Sequence, residues 1–479
     1  MEPLEEIDDP EGTPALPSAT LAASAGPALE MLRPRPRAAG EGYAELWGLS
    51  WPVMTSQVLA NAVSLIDIAM VGRLGADAMA AVGYASQFFS LAQSVLFAVA
   101  AGCVALMARA IGASDAPRAR RALAASLATA TVTVLVLTAL TAAAPRTLLR
   151  ALGAEPAVIE RAVPYLFLLL GSSVLLAPSM MLESALRASR DTRTPMRIAL
   201  VVTTVKVLGN LVLIFGAFGL PRLELVGAGI ATAIAQIVGL ALFATVLWRA
   251  PADSPLALAP QDAAGGREAL PAVVRLALPG IGERLAMNLA LLVYFRVLAH
   301  YGTAAIAAYT VGIRVLAFSW IPGTGLGVTA ATLVGQALGA GDAGHATRIG
   351  WRSLRLALGV AVVLGALCAL FRAPLAHLFV ADAATVAMLE PFLLCLALSQ
   401  PLLQAHFALG GAHRGAGDTM TPFLAAAVGN WAFRLPVAFA LAYGLDADVV
   451  WIWWALSIDH LVRTAWLAWS FRRGRWQAS

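Results

Sequence analysis

Long apolar segments recur almost from end to end of this chain, and they constrain its fold more than any other feature. A run of about 18 or more apolar residues is long enough to cross the hydrocarbon core of a bilayer as a helix. Twelve such runs are predicted, at residues 46–71, 84–111, 121–144, 162–186, 196–219, 225–248, 271–299, 309–338, 353–371, 386–409, 423–444 and 450–471. Only 13% of the residues are charged, against about 25% in soluble domains. We therefore predict an all-α integral membrane protein with twelve transmembrane helices.

The segments around these runs predict how the chain is divided. Residues 1–43 are rich in Pro, Ala, Gly and acidic residues without apolar periodicity, so they are predicted to be a disordered tail. Residues 250–270 are polar and contain several prolines and glycines, which predicts a linker between two halves. The halves are an N-lobe at residues 44–249 and a C-lobe at residues 271–471, each with six helices. Residues 472–479 are predicted to be a C-terminal tail.

Arginine is concentrated in alternate connections between the apolar runs. These connections hold Arg118, Arg120 and Arg121, then Arg187, Arg190, Arg193 and Arg197, and later Arg348, Arg352 and Arg355. Because short loops rich in arginine stay on the cytoplasmic side, both termini and the linker are predicted to be cytoplasmic. The start of the chain is acidic, which is not typical of a cleaved secretory signal.

The two halves resemble each other at a fixed offset of 227 residues. The matched residues are Pro52 with Pro279, Gly75-x-x-Ala78-x-Ala80-Ala81 with Gly302-x-x-Ala305-x-Ala307-Ala308, Gly112-Ala113-Ser114-Asp115 with Gly339-Ala340-Gly341-Asp342, and Arg187-x-x-x-Asp191-Thr192-x-Thr194-Pro195 with Arg414-x-x-x-Asp418-Thr419-x-Thr421-Pro422. Since each unit holds six spans, the halves are predicted to be parallel repeats related by a pseudo-two-fold axis along the membrane normal. The loop residues themselves are interpreted first as turn and helix-cap residues.

Asp67 is the first candidate functional residue, because an ionisable side chain inside an apolar span is costly and usually functional. Such a carboxylate can exchange a proton between the two sides of a membrane or hold a cation. Gln57, Asn61 and Ser64 share a broad helix face with Asp67, which predicts a polar cavity along that face. The alternative is a carboxylate near the outer end of its span, paired with Arg73.

Several other classes of function are disfavoured. The net charge of +5 arises from loop arginines rather than from a continuous basic face, so a nucleic-acid partner is not expected. The three cysteines lie inside apolar runs and the six histidines are scattered, so neither a disulfide framework nor a metal site is predicted. No phosphate-binding Gly-Lys-Ser/Thr loop occurs, which disfavours an ATP-driven pump. We predict neither an enzyme nor a bound cofactor.

The chain resembles the multidrug and toxic compound extrusion (MATE) family, in its bacterial NorM and DinF branches. The resemblance covers residues 44–471 and rests on Ile66-Asp67-Ile68-Ala69-Met70-Val71-Gly72-Arg73-Leu74-Gly75, Leu186-Arg187-Ala188 with Asp191-Thr192-x-Thr194-Pro195, Gly227-Ala228-Gly229-Ile230-Ala231-Thr232, and Leu333-Val334-Gly335-Gln336-x-Leu338-Gly339. It implies efflux of cationic or amphipathic compounds, driven by H⁺ or Na⁺, with two lobes that rock between outward-open and inward-open states.

The resemblance also implies a cation site in the N-lobe. The matching residues are Asp67, Asn210 and Thr232, whereas Ile214 stands where the family has a second acid. The C-lobe sodium site of the NorM branch is not matched, because its acids fall on Leu402 and Met287. Proton coupling is therefore predicted over sodium coupling.

Three further ionisable residues lie within predicted spans. Glu283 lies one turn before Met287 and could substitute for the missing acid, or Arg284 beside it could neutralise it. Lys206, the only lysine of the chain, could pair with Asp67 or with Glu183. The preferred interpretation is a lysine whose long stem reaches the cytoplasmic interface.

A path for varied amphipathic cations needs adaptable apolar and aromatic walls. The candidate lining residues are Met54, Gln57, Asn61, Phe88, Met180, Trp320 and Trp431. The expected setting is the inner membrane of a bacterium, with the chain acting as a monomer on small molecules. Two other functions stay open, a flippase for a lipid-linked glycan of related fold and a membrane scaffold that transports nothing.

Overall fold

A computed structural model describes residues 42–219, 221–380 and 382–478, so almost the whole of the predicted tail at 1–43 lies outside the described residues. Twelve long helices run through these parts. The first six are α1 (Tyr43–Gly72), α2 (Ala76–Gly112), α3 (Ala116–Ala143), α4 (Pro156–Ala188), α5 (Arg193–Phe215) and α6 (Glu224–Trp248). The last six are α7 (Pro260–His300), α8 (Gly302–Gly339), α9 (Ala343–Leu370), α10 (Ala383–Gly415), α11 (Met420–Gly444) and α12 (Val449–Arg473).

Eleven of these twelve helices are long and apolar enough to cross a membrane. The exception is α12, which has 25 residues but carries Asp459 and Arg463 inside and Arg472 and Arg473 at its end. The prediction of an all-α membrane fold is confirmed.

The second half repeats the helix packing of the first. In the N-lobe, α2 packs on α4 and α3, α4 packs on α3 and α6, and α5 packs on α1 and α6. In the C-lobe, α8 packs on α10 and α9, α10 packs on α9 and α12, and α11 packs on α7 and α12. Each pair in one lobe thus has its counterpart six helices later, as the sequence repeat predicts.

The repeated loop motifs act as helix caps and turns. Asp115 and Asp342 accept hydrogen bonds from the backbone N–H groups of Arg118 (2.9 Å) and His345 (2.6 Å). Asp191 caps α5 through the N–H of Thr194, and Asp418 repeats this at Thr421, both at 3.0 Å. The structural interpretation of these loop residues therefore holds.

Two predicted boundaries differ in the structure. Residues 260–270 were assigned to the linker, but they are helical, because Pro260 starts α7 and Asp262 caps the N–H of Ala259 at 2.9 Å. Arg120 also pairs with Asp262 at 3.2 Å. The tail predicted to start at residue 472 starts two residues later, because α12 ends at Arg473. Beyond that end Trp476 is buried, and its ring stacks on Phe471 with 4.4 Å between centroids.

The lobes meet at only one end of the bundle within the described residues. We call the end that holds the start of α1 and the end of α12 the termini end, and the other the opposite end. Two hydrophobic cores near the termini end mix both lobes; one joins Leu46 to Val334, and the other joins Met107 to Val273. The two cores toward the opposite end each belong to a single lobe. A cleft between the lobes therefore opens toward the opposite end.

Candidate functional site

Asp67 lies in the last third of α1 and contacts two side chains of α5. Its Oδ1 accepts a hydrogen bond from Asn210 Nδ2 at 2.6 Å, and its Oδ2 forms an ion pair with Lys206 Nζ. The Asp67 and Lys206 side chains keep 27% and 20% of their surface exposed, so the pair is largely but not fully removed from solvent. Both carboxylate oxygens are thus engaged by N–H donors from one neighbouring helix.

The helix geometry explains why these three groups meet. Lys206 and Asn210 are four residues apart, which places both side chains on the same face of α5. That face packs on α1 and presents an ammonium and an amide to Asp67. Asp67 is the only carboxylate of α1 beyond its first turn. Asn210 is 1% exposed, and its Oδ1 has no hydrogen-bond partner among the described residues. The pocket therefore keeps one free acceptor beside the ion pair.

The preferred interpretation of Lys206 as a lysine that reaches the interface is wrong. Its ammonium pairs with Asp67, whose carboxylate lies within reach. A paired charge is less costly inside a membrane than an unpaired one. The interpretation in which Asp67 pairs with Arg73 is also not what the structure shows. The partner of Asp67 is Lys206.

The other predicted ionisable or polar residues do not join this group. Thr232 is buried, and its hydroxyl donates to the Ala228 carbonyl of its own helix at 2.9 Å. Glu183 is paired with Arg187, one turn away on α4. Glu283 binds Arg414 of α10 at 2.8 and 3.1 Å.

Arg284, which was one of the alternatives for neutralising Glu283, lies over the ring of Phe97 at 5.5 Å from its centroid, and the ion pair of Glu283 is with Arg414. The structure therefore brings together Asp67, Lys206 and Asn210, and leaves Thr232 as a second polar residue on the adjacent helix α6.

The candidate path residues are spread over several environments. Met54 packs against α8 at the closed end, and Asn61 donates to the carbonyl of Gln57 at 3.1 Å. Phe88 and Trp320 are partly buried at the edges of the two opposite-end cores. Met180 is buried within the mixed core that joins Met107 to Val273 near the termini end, which argues for packing at that position.

Trp431 is 42% exposed and donates its indole N–H to the Ala286 carbonyl at 3.1 Å. It fixes α11 to α7, and its exposed ring remains available to line a cavity.

A clasp that the sequence analysis did not single out closes the termini end. Arg190 donates from Nη1 to Glu45 Oε1 at 3.0 Å and from Nε to Gln336 Oε1 of α8. Gln336 Nε2 in turn donates to the Ala188 carbonyl at 2.7 Å, so both bonds of this amide cross between the lobes.

The backbone of Arg190 supports a specific role in this clasp. Its φ is 62°, in the left-handed region that costs a residue with a side chain roughly 1 kcal/mol. The equivalent position of the second half is Gly417, with φ of 85°. The sequence signal for this role is an arginine at a position where the second half of the repeat has glycine.

The C-lobe interior holds a second group of ionisable residues that sequence reasoning missed. Asp459 and Arg463 of α12 form a buried bidentate pair at 2.6 and 2.8 Å. Arg434 of α11 is 9% exposed, and His406 and His460 stack with ring centroids 5.1 Å apart. The sequence did carry a signal for this group, because each of its members is an ionisable residue inside a predicted span.

Comparison with known proteins places the chain among membrane transporters. The MatE family profile matches residues 52–212 and 279–440, once in each lobe, and together these cover more than half of the chain. The chain is 28% identical over 434 residues to a Thermotoga maritima protein named "Probable multidrug resistance protein NorM", covering 90% of this chain and 93% of the relative. A Bradyrhizobium diazoefficiens protein of the same name is 31% identical over 447 residues, with the same two coverages.

The fold is also that of a solved structure. A MOP superfamily transporter from Pyrococcus furiosus superposes with a TM-score of 0.84 at 20% identity, and the match covers 95% of this chain and 99% of that one. At this identity the match shows the fold alone.

Proposed function

This chain belongs to the MatE family of membrane transporters, and from that premise we propose that it is a secondary active antiporter that exports cationic or amphipathic compounds in exchange for protons. The observation that carries the proposal is the ion pair between Asp67 and Lys206, with Asn210 bonded to the same carboxylate. This pair is a charge-balanced group inside a membrane span, and such groups serve ion or proton pathways.

Protonation of Asp67 changes what the cleft offers to a cation. When Asp67 is ionised, the pair with Lys206 is neutral, and a cationic compound meets no net repulsion. When a proton enters Asp67, the ammonium of Lys206 loses its counter-charge and repels a cation in the cleft. Proton entry from the outside thus drives release to the outside, which is the step an exchanger needs.

Sodium fits this site less well than a proton. One carboxylate oxygen of Asp67 is occupied by Asn210 and the other by Lys206. A sodium ion needs several oxygen ligands, and Asp67 could offer both of its oxygens only by giving up both of these donors. A proton needs only one carboxylate oxygen.

The closed termini end supports alternating access. The arginine-rich connections lie at this end, so we assign it to the cytoplasm, together with both termini. The structure is then outward-open, and inward opening requires the contacts of Gln336 with Arg190 and Ala188 to break. We assign the protein to the bacterial inner membrane as a monomer, since one chain contains both lobes and the cleft.

The two alternative functions have less support. A scaffold that transports nothing would not need a partly buried carboxylate and ammonium beside a cleft. A flippase for a pyrophosphate-linked glycan would need several cations on the cleft faces, whereas Lys206 of the N-lobe is neutralised by Asp67.

The proposal is tested by reconstituting the protein in liposomes and following efflux of a fluorescent organic cation under an imposed pH gradient. Asp67→Asn is expected to abolish proton-driven efflux while the protein still inserts and purifies normally. Asp77→Asn is the matched control, because Asp77 is exposed in the first turn of α2. Full proton-driven efflux in Asp67→Asn would overturn the assignment.

A further inference from the structure

The internal repeat places a cation in each lobe, but the C-lobe lacks the matching carboxylate. At the offset of 227 residues that aligns Pro52 with Pro279, the counterpart of Asp67 is Tyr294 of α7. Tyr294 is 1% exposed, and its hydroxyl donates to the Ile452 carbonyl at 3.0 Å. A neutral phenol therefore stands where the N-lobe has its carboxylate.

Arg434 is the counterpart of Lys206. The helix α11 has 25 residues where α5 has 23, and it contains two π-turns, Gly429–Arg434 and Ala440–Gly444. Each π-turn adds one residue to a helix, so the offset has grown to 228 at Arg434. The second π-turn adds one more residue. The offset between the helix ends, Phe215 and Gly444, is therefore two residues larger than the offset between the helix starts, Arg193 and Met420.

No carboxylate binds Arg434 within the described parts of the chain. One terminal nitrogen donates to the Tyr309 hydroxyl at 2.8 Å, and the guanidinium carbon lies 4.2 Å from the centroid of the Tyr294 ring. The Nε of Arg434 has no hydrogen-bond acceptor among the residues that are described. Asp459 is the carboxylate within electrostatic reach, but Arg463 already holds both of its oxygens.

This arrangement leaves one positive charge in excess. The buried group contains two guanidiniums, Arg434 and Arg463, and one carboxylate, Asp459, which is 1% exposed. A buried charge without a counter-charge is strongly unfavourable even after the surroundings relax. A small anion beside Arg434 would remove most of that cost through short, charge-assisted hydrogen bonds.

Further donors face the same region. Tyr309 accepts a hydrogen bond from Arg434, which leaves its own hydroxyl hydrogen to donate. His460 is 6% exposed and within electrostatic reach of Arg434, and neither of its ring nitrogens has a partner in the described chain. The unpartnered Nε of Arg434, the hydroxyl hydrogen of Tyr309 and a ring N–H of His460 are three donors that suit an anion better than a cation.

We infer that Arg434, with Tyr309 and His460 beside it, forms a binding site for a small monovalent anion inside the C-lobe. The anion supplies the counter-charge that Asp67 supplies to Lys206 in the N-lobe. Chloride is the simplest such anion. A carboxylate group carries the same single negative charge and would accept the same hydrogen bonds. The site stands independently of the proton coupling proposed for the N-lobe.

The test is equilibrium binding of ³⁶Cl⁻ to the purified full-length protein, with unfolding temperature measured in chloride and in gluconate at equal ionic strength. The wild type is expected to bind chloride saturably and to unfold at higher temperature in chloride. Arg434→Gln should weaken binding by roughly tenfold or more, since it removes the charge from the hydrogen bonds. Arg296→Gln is the matched control, because Arg296 is an exposed arginine of α7, and it should bind chloride like the wild type.

Tyr309→Phe carries the test if Arg434→Gln does not fold, because it keeps the guanidinium and removes only the phenolic donor. We expect it to bind chloride several-fold more weakly. Acetate in competition with ³⁶Cl⁻ tells whether a carboxylate occupies the same site. Absence of saturable binding of either anion, or equal binding by wild type and both Arg434 and Tyr309 variants, would overturn the inference and leave hydration as the partner of Arg434.

Discussion

Gln336 joins the two lobes by both ends of its amide, so Gln336→Leu should release the closed termini end. The substitution keeps the volume and removes the bond accepted from Arg190 and the bond of 2.7 Å donated to Ala188. A bond to a charged donor is worth about 1.5–3 kcal/mol and a neutral one about 0.5–1.5 kcal/mol. In the inward-open state these groups face water, so the loss of about 2–4 kcal/mol falls on the outward-open state alone. The ratio of inward-open to outward-open protein should rise roughly 30-fold or more, at tenfold per 1.4 kcal/mol.

Spin labels at Asp77 and Thr303 measure this ratio, because both residues are exposed at the opposite end, one on each lobe. In Gln336→Leu, the distribution of distances between the two labels, measured by pulsed electron paramagnetic resonance, should shift toward shorter values as that end closes. Gln404→Leu is the matched control, since Gln404 is also buried but donates to the Ser319 carbonyl at 2.7 Å within the C-lobe. An unchanged distribution in Gln336→Leu, or the same shift in Gln404→Leu, would refute the role of the clasp.

Two further predictions follow from the cleft and from the lobe contact. Lys206→Met removes one positive charge whether or not Asp67 carries a proton, so a fluorescent organic cation should bind roughly fivefold more tightly than to the wild type at acidic pH; equal affinities in fluorescence titrations would contradict the mechanism. Gly112→Ala places a Cβ into the backbone carbonyl of Gln336, and since overpacking costs about 1–3 kcal/mol, the same spin-label pair should report more inward-open protein, whereas no change would show that the contact is not rigid.

The fold was predictable because its determinants are local or repeated along the chain. Twelve apolar runs, the 227-residue repeat and the caps at Asp115 and Asp191 predict spans, lobes and turns without knowledge of any contact. The boundaries failed where tertiary contacts outweigh composition. Residues 260–270 look like a linker, but Arg120 and the cap at Asp262 stabilise them as the first turns of α7.

The sequence predicted the carboxylate of the site better than it predicted the partners of that carboxylate. Asp67 stood out because no other acid interrupts its span, and Asn210 followed from the family pattern. The pairing of Lys206 depends on the rotation of α5 against α1, which sequence periodicity alone does not give. The charge excess at Arg434 was invisible for a related reason, since it requires both the contacts of Asp459 and the residue that the π-turn adds.

Efflux from proteoliposomes under a pH gradient alone, and then under a sodium gradient alone, tests the central claim most directly. Because Asp67 has both oxygens engaged and needs only one to accept a proton, we predict transport with the pH gradient and none with sodium at equal pH. Sodium-driven efflux at zero pH gradient that is lost in Asp67→Asn would contradict the account and identify sodium as the coupling ion.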